Sequence, residues 1–180
     1  MKNQFTISSA YQWSQVNDNN SEKAIKRIVE IIKNRFSNNE NGKYNYNINY
    51  RKLRASAGRT ILDSIYKRII NSHVVIIDLT ENNPNVYLEA GIALAIEKDN
   101  PYLSIYFIRE KREDIKLPNG IPSDLQGYFI SEYSLDSKGK VTFNDAGSLR
   151  MSIESDVKDY FAATEGIFNQ IDDFDNDYED

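Results

Sequence analysis

Glu89 stands among apolar and small residues, in the stretch NVYLEAGIALAI that follows Asn83 and Pro84. A carboxylate in such a setting can act as a nucleophile, a proton donor or acceptor, or a partner for a developing cation. Its neighbours decide where it sits. A β-branched run, HVVIIDL, precedes it, and the turn ENNPN separates the two. Pro84 suits the start of a helix. Glu89 then falls about one turn into a helix running from about Asn85 to Glu97. Amide donors and the positive end of the helix dipole gather there. Ala90, Gly91 and Ala93 allow helix and sheet to approach closely and leave room for a ligand. The plainer alternative is an acid placed only to suit the dipole. Asp78, where the strand ends, has a similar dual reading: N-cap or turn former against ligand binder.

Other chemistries are excluded or narrowed by composition. The chain has no cysteine, so disulfides, thiolate metal sites and a cysteine nucleophile are absent. His73 is the only histidine. Ser-His-Asp catalysis would have to use it, yet it opens a strand, where a structural role is expected. No metal site is expected. No basic patch suggests nucleic acid; KRIVEIIKNR reads as the wet face of an amphipathic helix. No apolar run approaches the roughly 18 residues of a membrane helix, and MKNQFTISSAYQW lacks a signal peptide's apolar segment. A cytoplasmic protein without membrane contact is therefore expected.

The net charge is -5, but it is unevenly placed. The closing IDDFDNDYED is acidic and has no base, and without it the chain is nearly neutral. The expected organisation is one α/β domain over residues 1–169, followed by an acidic, disordered tail over 170–180.

The elements that would position Glu89 follow from periodicity. QFTIS, residues 4–8, reads as a strand. Ser21 is the expected N-cap of a helix from about Glu22 to Phe36, with Ala24, Ile25, Ile28, Val29, Ile31, Ile32 and Phe36 as an apolar stripe. YNYNINY, 44–50, alternates between larger apolar residues and Asn, as a half-buried strand does. A second helix is expected over 56–71. HVVIIDL does not alternate, as expected for a central strand covered on both faces. LSIYFIR, 103–109, is another strand, YFISEY, 128–133, a last one, and 149–163 a closing helix. This alternation predicts a parallel sheet of about five strands with helices on both faces. Ligands of such sheets sit beyond the carboxyl ends of the strands.

The segment INSHVVIIDLTENNPNVYLEAGIALAIEK resembles the shared signature of TIR-like and nucleoside 2-deoxyribosyltransferase-like proteins. That signature is an apolar strand, Asp-Leu-Thr, Asn-Pro-Asn-Val, an aromatic, then Glu, a small residue and Gly. IPSDLQGYFISEY is similar to a downstream segment of bacterial members, and FTISSAY more weakly to their first strand and ribose- or phosphate-facing loop. The resemblance covers about residues 4–134 and is more specific to the superfamily than to any substrate. It implies a flavodoxin-like or TIR-like three-layer sandwich. It implies cleavage or exchange of an N-glycosidic bond, in NAD or a related nucleotide, with Glu89 as the catalytic carboxylate. It implies no required cofactor, since the nucleotide is the substrate. It also implies a homo-oligomer or assembly with a partner, and a place in phage defence.

By the same resemblance Ser8, Ser9, Asp78, Thr80, Asn85 and Tyr87 stand at substrate-binding positions. Tyr11, Trp13 or Tyr87 could stack on a base. Arg54 and Arg59, before the second helix, could hold a phosphate. The chain departs from the pattern in two places. SSAYQW lacks the Gly and Pro of the transferases' first loop, and Thr80 and Tyr87 stand where TIR enzymes carry Ser and Trp. A deoxyribosyltransferase of nucleoside salvage and a non-catalytic, nucleotide-sensing module are the alternatives.

Overall fold

The structure is a computed structural model. It describes residues 4–12, 19–37, 46–53, 60–111, 125 and 127–176, with side chains of the last helix described over 147–164. In chain order the elements are β1 (Gln4–Ala10), α1 (Asn20–Phe36), β2 (Asn47–Lys52), α2 (Ile61–Ile70), β3 (Val74–Asp78), α3 (Pro84–Glu97), β4 (Ser104–Glu110), β5 (Ile130–Leu135), β6 (Val141–Phe143) and α4 (Ala146–Asn176).

The strands form one six-stranded sheet in the order β2-β1-β3-β4-β5-β6. The pairings among the first five strands are parallel, and β6 joins β5 antiparallel. The expected sheet of about five parallel strands thus gains an edge strand. β6 has only three residues, VTF, too few for a periodicity to be read. Its hairpin turns through Gly139 at φ 74, a conformation that glycine reaches without steric cost.

β3 explains the architecture best. All five of its residues are buried, and they alternate between two cores. Val74 and Ile76 join α1 and α4, while Val75 and Ile77 join α2 and α3. A strand covered on both faces can be apolar at every position, which is why VVII shows no alternation. α1 buries the expected stripe against the first core except Ile31, which lies at its margin and is half-buried. Its N-cap is Asn19, not the expected Ser21: Asn19 Oδ1 accepts from the Glu22 amide at 3.2 Å. Ser21 lies inside the helix and is buried.

Tyr46, Ile48 and Tyr50 pack on the first core, so the alternation in YNYNINY is that of a one-sided strand. α2 is capped by Thr60, whose hydroxyl accepts from the Asp63 amide; the first residues of the expected helix, 56–59, lie outside the described residues. α4 begins three residues before the expected 149–163 and ends thirteen residues after it. The acidic end falls partly outside the described residues. Among the described residues no helix is long and apolar enough to cross a membrane.

Candidate active site

The strand order places a topological switch point between β1 and β3. β1 and β3 are neighbours, but their chains leave in opposite directions: β1 feeds α1 on one face, and β3 feeds α3 on the other. The carboxyl edge at such a switch point is the usual place for a ligand in an α/β sheet.

Two loops border it and touch. Asn83 Nδ2 donates to Gln12 Oε1 at 3.2 Å, and Asn19 Nδ2 donates to the Gln12 carbonyl at 2.7 Å. Asn83 is also the N-cap of α3, its Oδ1 accepting from the Asn85 amide at 2.8 Å. Before it, Asn82 takes a left-handed φ of 48, which Asn tolerates better than most residues. Tyr87 fixes that turn by donating its hydroxyl to Asn82 Oδ1 at 2.6 Å. The start of α3 is thereby tied down from three sides. Sequence reading singled out neither Gln12 nor Asn83; an Asn before Pro is an N-cap signal that could have found the second.

Glu89 follows on α3, beside the buried stripe of Val86, Ala90, Ala93 and Ile96. It is half-buried and makes no hydrogen bond or ion pair among the described residues. Burial alone pushes its carboxyl from 4.5 up to about 7. A desolvated acid without a partner is costly in a folded protein, and such groups cluster at functional sites.

Asp78 is placed differently. As the last residue of β3 it follows Val74 and Ile76 onto the α1 side of the sheet, away from α3. It is only 3% exposed. Its Oδ1 accepts from the Thr80 amide at 2.8 Å, and its Oδ2 from the Tyr133 hydroxyl at 2.7 Å. Burial raises its pKa, opposed by hydrogen bonds from Thr80, Tyr133 and Ser21. Thr80 is engaged too: its hydroxyl accepts from the Glu110 amide at 2.8 Å and lies 3.3 Å from the Tyr133 hydroxyl. Asp78, Thr80 and Tyr133 thus form a buried clamp joining the ends of β3, β4 and β5. No signal in YFISEY marks Tyr133 as its third member.

The serines of β1 point to opposite faces. Ser8 is fully buried, 2.7 Å from the Ser72 hydroxyl, and accepts from Arg51 Nε at 3.2 Å. Ser9 shares a hydrogen bond with the Tyr50 hydroxyl at 2.9 Å. Both are satisfied within the protein. Tyr11, just past β1, donates to Glu22 Oε2 at 3.0 Å, and Lys52 Nζ lies 5.4 Å from its ring centre. Lys26 and Lys52 each approach Glu22 Oε1 at 2.8 Å. Hydrogen bonds from Lys26 and then Lys52 hold the Glu22 carboxyl near 2. Asn85 is exposed, and Tyr87 is half-buried. Arg54, Arg59 and Trp13 lie outside the described residues.

The structure therefore gathers Asn85, Tyr87 and Glu89 on α3 and brings Tyr11 to the same edge of the sheet. Ser8, Ser9, Asp78 and Thr80 are engaged internally. His73 lies at the opposite end of β3, where its Nδ1 accepts from the Thr6 amide at 2.9 Å and its ring stacks on Phe5. Among the described residues no group of His, Asp and Glu is arranged to hold a metal ion. No family model matches the chain, and no curated protein is similar to it.

Proposed function

We propose that the protein cleaves or exchanges the N-glycosidic bond of NAD or a related nucleotide, with Glu89 as the carboxylate that meets the anomeric carbon. One observation carries this reading: Glu89 is a half-buried acid, raised to about 7 by burial, on the helix that follows the switch-point strand β3. Such a carboxylate is poorly solvated, so it gains more from an approaching cation than a wet one does. Nicotinamide glycosides bring one, because the ring nitrogen is positively charged. That charge would draw the Glu89 pKa down on binding and leave the carboxylate ionised.

The reaction then balances simply. The bond between the anomeric carbon and nitrogen breaks, and its electron pair leaves with nicotinamide, which becomes neutral. The anomeric carbon acquires oxocarbenium character, which Glu89 stabilises or captures. Water adds to that carbon and gives its proton to solvent; another acceptor in place of water gives exchange. The fold reading that accompanies this is a flavodoxin-like or TIR-like layer, supported by the strand order and by helices on both faces.

The same raised pKa favours a second reading. A carboxyl that keeps its proton near pH 7 could protonate a departing nucleobase, as deoxyribosyl transfer needs. Product analysis separates the two. The protein at high concentration is incubated with NAD, ATP or deoxynucleosides, and released nicotinamide or base is measured by liquid chromatography. Release from NAD supports the first reading, and release from deoxynucleosides the second. No release, together with a ligand-induced rise in melting temperature, would replace both with a nucleotide-sensing module.

A further inference from the structure

We propose that the outer face of α2 is where two copies of this chain meet, antiparallel, across a two-fold axis passing between Ile65 and Tyr66. α2 spends Ile65 and Ile69 on the core, yet its other face remains apolar. Leu62, Tyr66 and Ile70 are 51%, 48% and 44% exposed. Their spacing of four residues makes them one continuous stripe. The stripe does not stop at the helix end: Ile70 and Tyr102, itself 69% exposed, wall the same open groove of about 480 Å³. Scattered apolar residues are normal on a surface, but a contiguous stripe marks a contact site.

The charges beside the stripe choose the occupant. Asp63 and Lys67 are both exposed, lie one turn apart on the same flank, and form no ion pair with each other. In an antiparallel pair, Asp63 of each copy faces Lys67 of the other, and the two Tyr66 rings meet near the axis. A parallel pair would carry the two copies' flanks to opposite sides of the contact, where Asp63 and Lys67 do not meet. One acid and one base per face give no net charge, which argues against a membrane surface and for self-association. A ten-residue helix is about 15 Å long, so the contact is small and the dimer weak. None of this depends on the role of Glu89.

Sedimentation equilibrium from about 1 to about 300 micromolar tests it. Wild type should move from 20.8 kDa toward twice that mass as concentration rises. Tyr66→Arg should stay monomeric. Asp63→Lys and Lys67→Asp should each weaken association by about tenfold, through like charges across the axis, and the double exchange should recover most of the loss. Circular dichroism melts check that each variant folds; should Tyr66→Arg fail to fold, the charge exchange alone decides. A wild type that remains monomeric throughout, a dimer indifferent to Tyr66→Arg, or a double exchange no stronger than the single ones would overturn the proposal.

Discussion

Replacing Tyr133 by Phe removes one oxygen from the clamp that closes the carboxyl edge of the sheet. Tyr133 is fully buried, and its hydroxyl donates to Asp78 at 2.7 Å. The ring can stay where it is, against Phe143 at 5.7 Å between centres. The loss is therefore almost purely that of a hydrogen bond to a buried carboxyl. Such bonds are worth about 1.5–3 kcal/mol. Asp78 keeps the Thr80 amide and the Ser21 hydroxyl, which places the expected loss near the lower end, at about 2 kcal/mol. In a chain of this size that lowers the melting temperature by about 4–8 °C. Asp78→Ala should cost more, about 3 kcal/mol, because it strands the Thr80 amide and takes from the Tyr133 hydroxyl its shortest hydrogen bond. Urea unfolding followed by circular dichroism measures each, and a double-mutant cycle between Tyr133→Phe and Asp78→Asn isolates their coupling. A Tyr133→Phe loss below about 0.5 kcal/mol, or no coupling, would refute the clamp.

Two further predictions concern pH, with opposite signs. His73 Nδ1 accepts the Thr6 amide, so its neutral form is needed; burial, then the nearby Arg51 charge, lowers its pKa below 6.5. Between the lowered value and 6.5 the unfolded chain binds more protons, so His73's contribution is complete above 6.5 and fades on acidification. Melting temperatures from pH 7.5 down to 5 should show that decline, and His73→Phe should flatten it. Glu89 works the other way: its pKa is raised to about 7, so its protonated form suits the fold, and stability falls as pH rises from 4.5 through 7. Partial wetting reduces the effect to about 1 kcal/mol, so Glu89→Gln should be more stable than wild type by roughly that amount at pH 8 and equal to it near pH 4. An unchanged difference across this range would mean that Glu89 titrates normally.

The central strand and its flanking helices were legible because their pattern records burial. VVII without alternation, and the α1 stripe from Ala24 to Phe36, each follow from the surfaces they meet. Caps were less legible, since Asn19 and Ser21 are both good capping residues two positions apart. Only the geometry shows that Asn19 accepts the Glu22 amide while Ser21 turns inward toward Asp78. β6 was missed because three residues carry no period. At the site, residue type pointed to Glu89 and Asp78 alike. Their difference is one of parity and depth: Asp78 continues the inward face of β3 and finds donors there, whereas Glu89 lies on a helix flank with none among the described residues. A one-dimensional reading of DLTENNPNVYLE does not carry that distinction.

The most direct test of the account is turnover by wild type and Glu89→Gln at matched concentration, on whichever nucleotide releases its base, with melting curves showing that both are folded. The account predicts that Glu89→Gln binds the nucleotide but releases no nicotinamide or base above background, and that wild-type kcat/KM on NAD rises with pH through about 7, the pKa of the free enzyme's carboxyl. A folded Glu89→Gln that turns over as fast as wild type would contradict it.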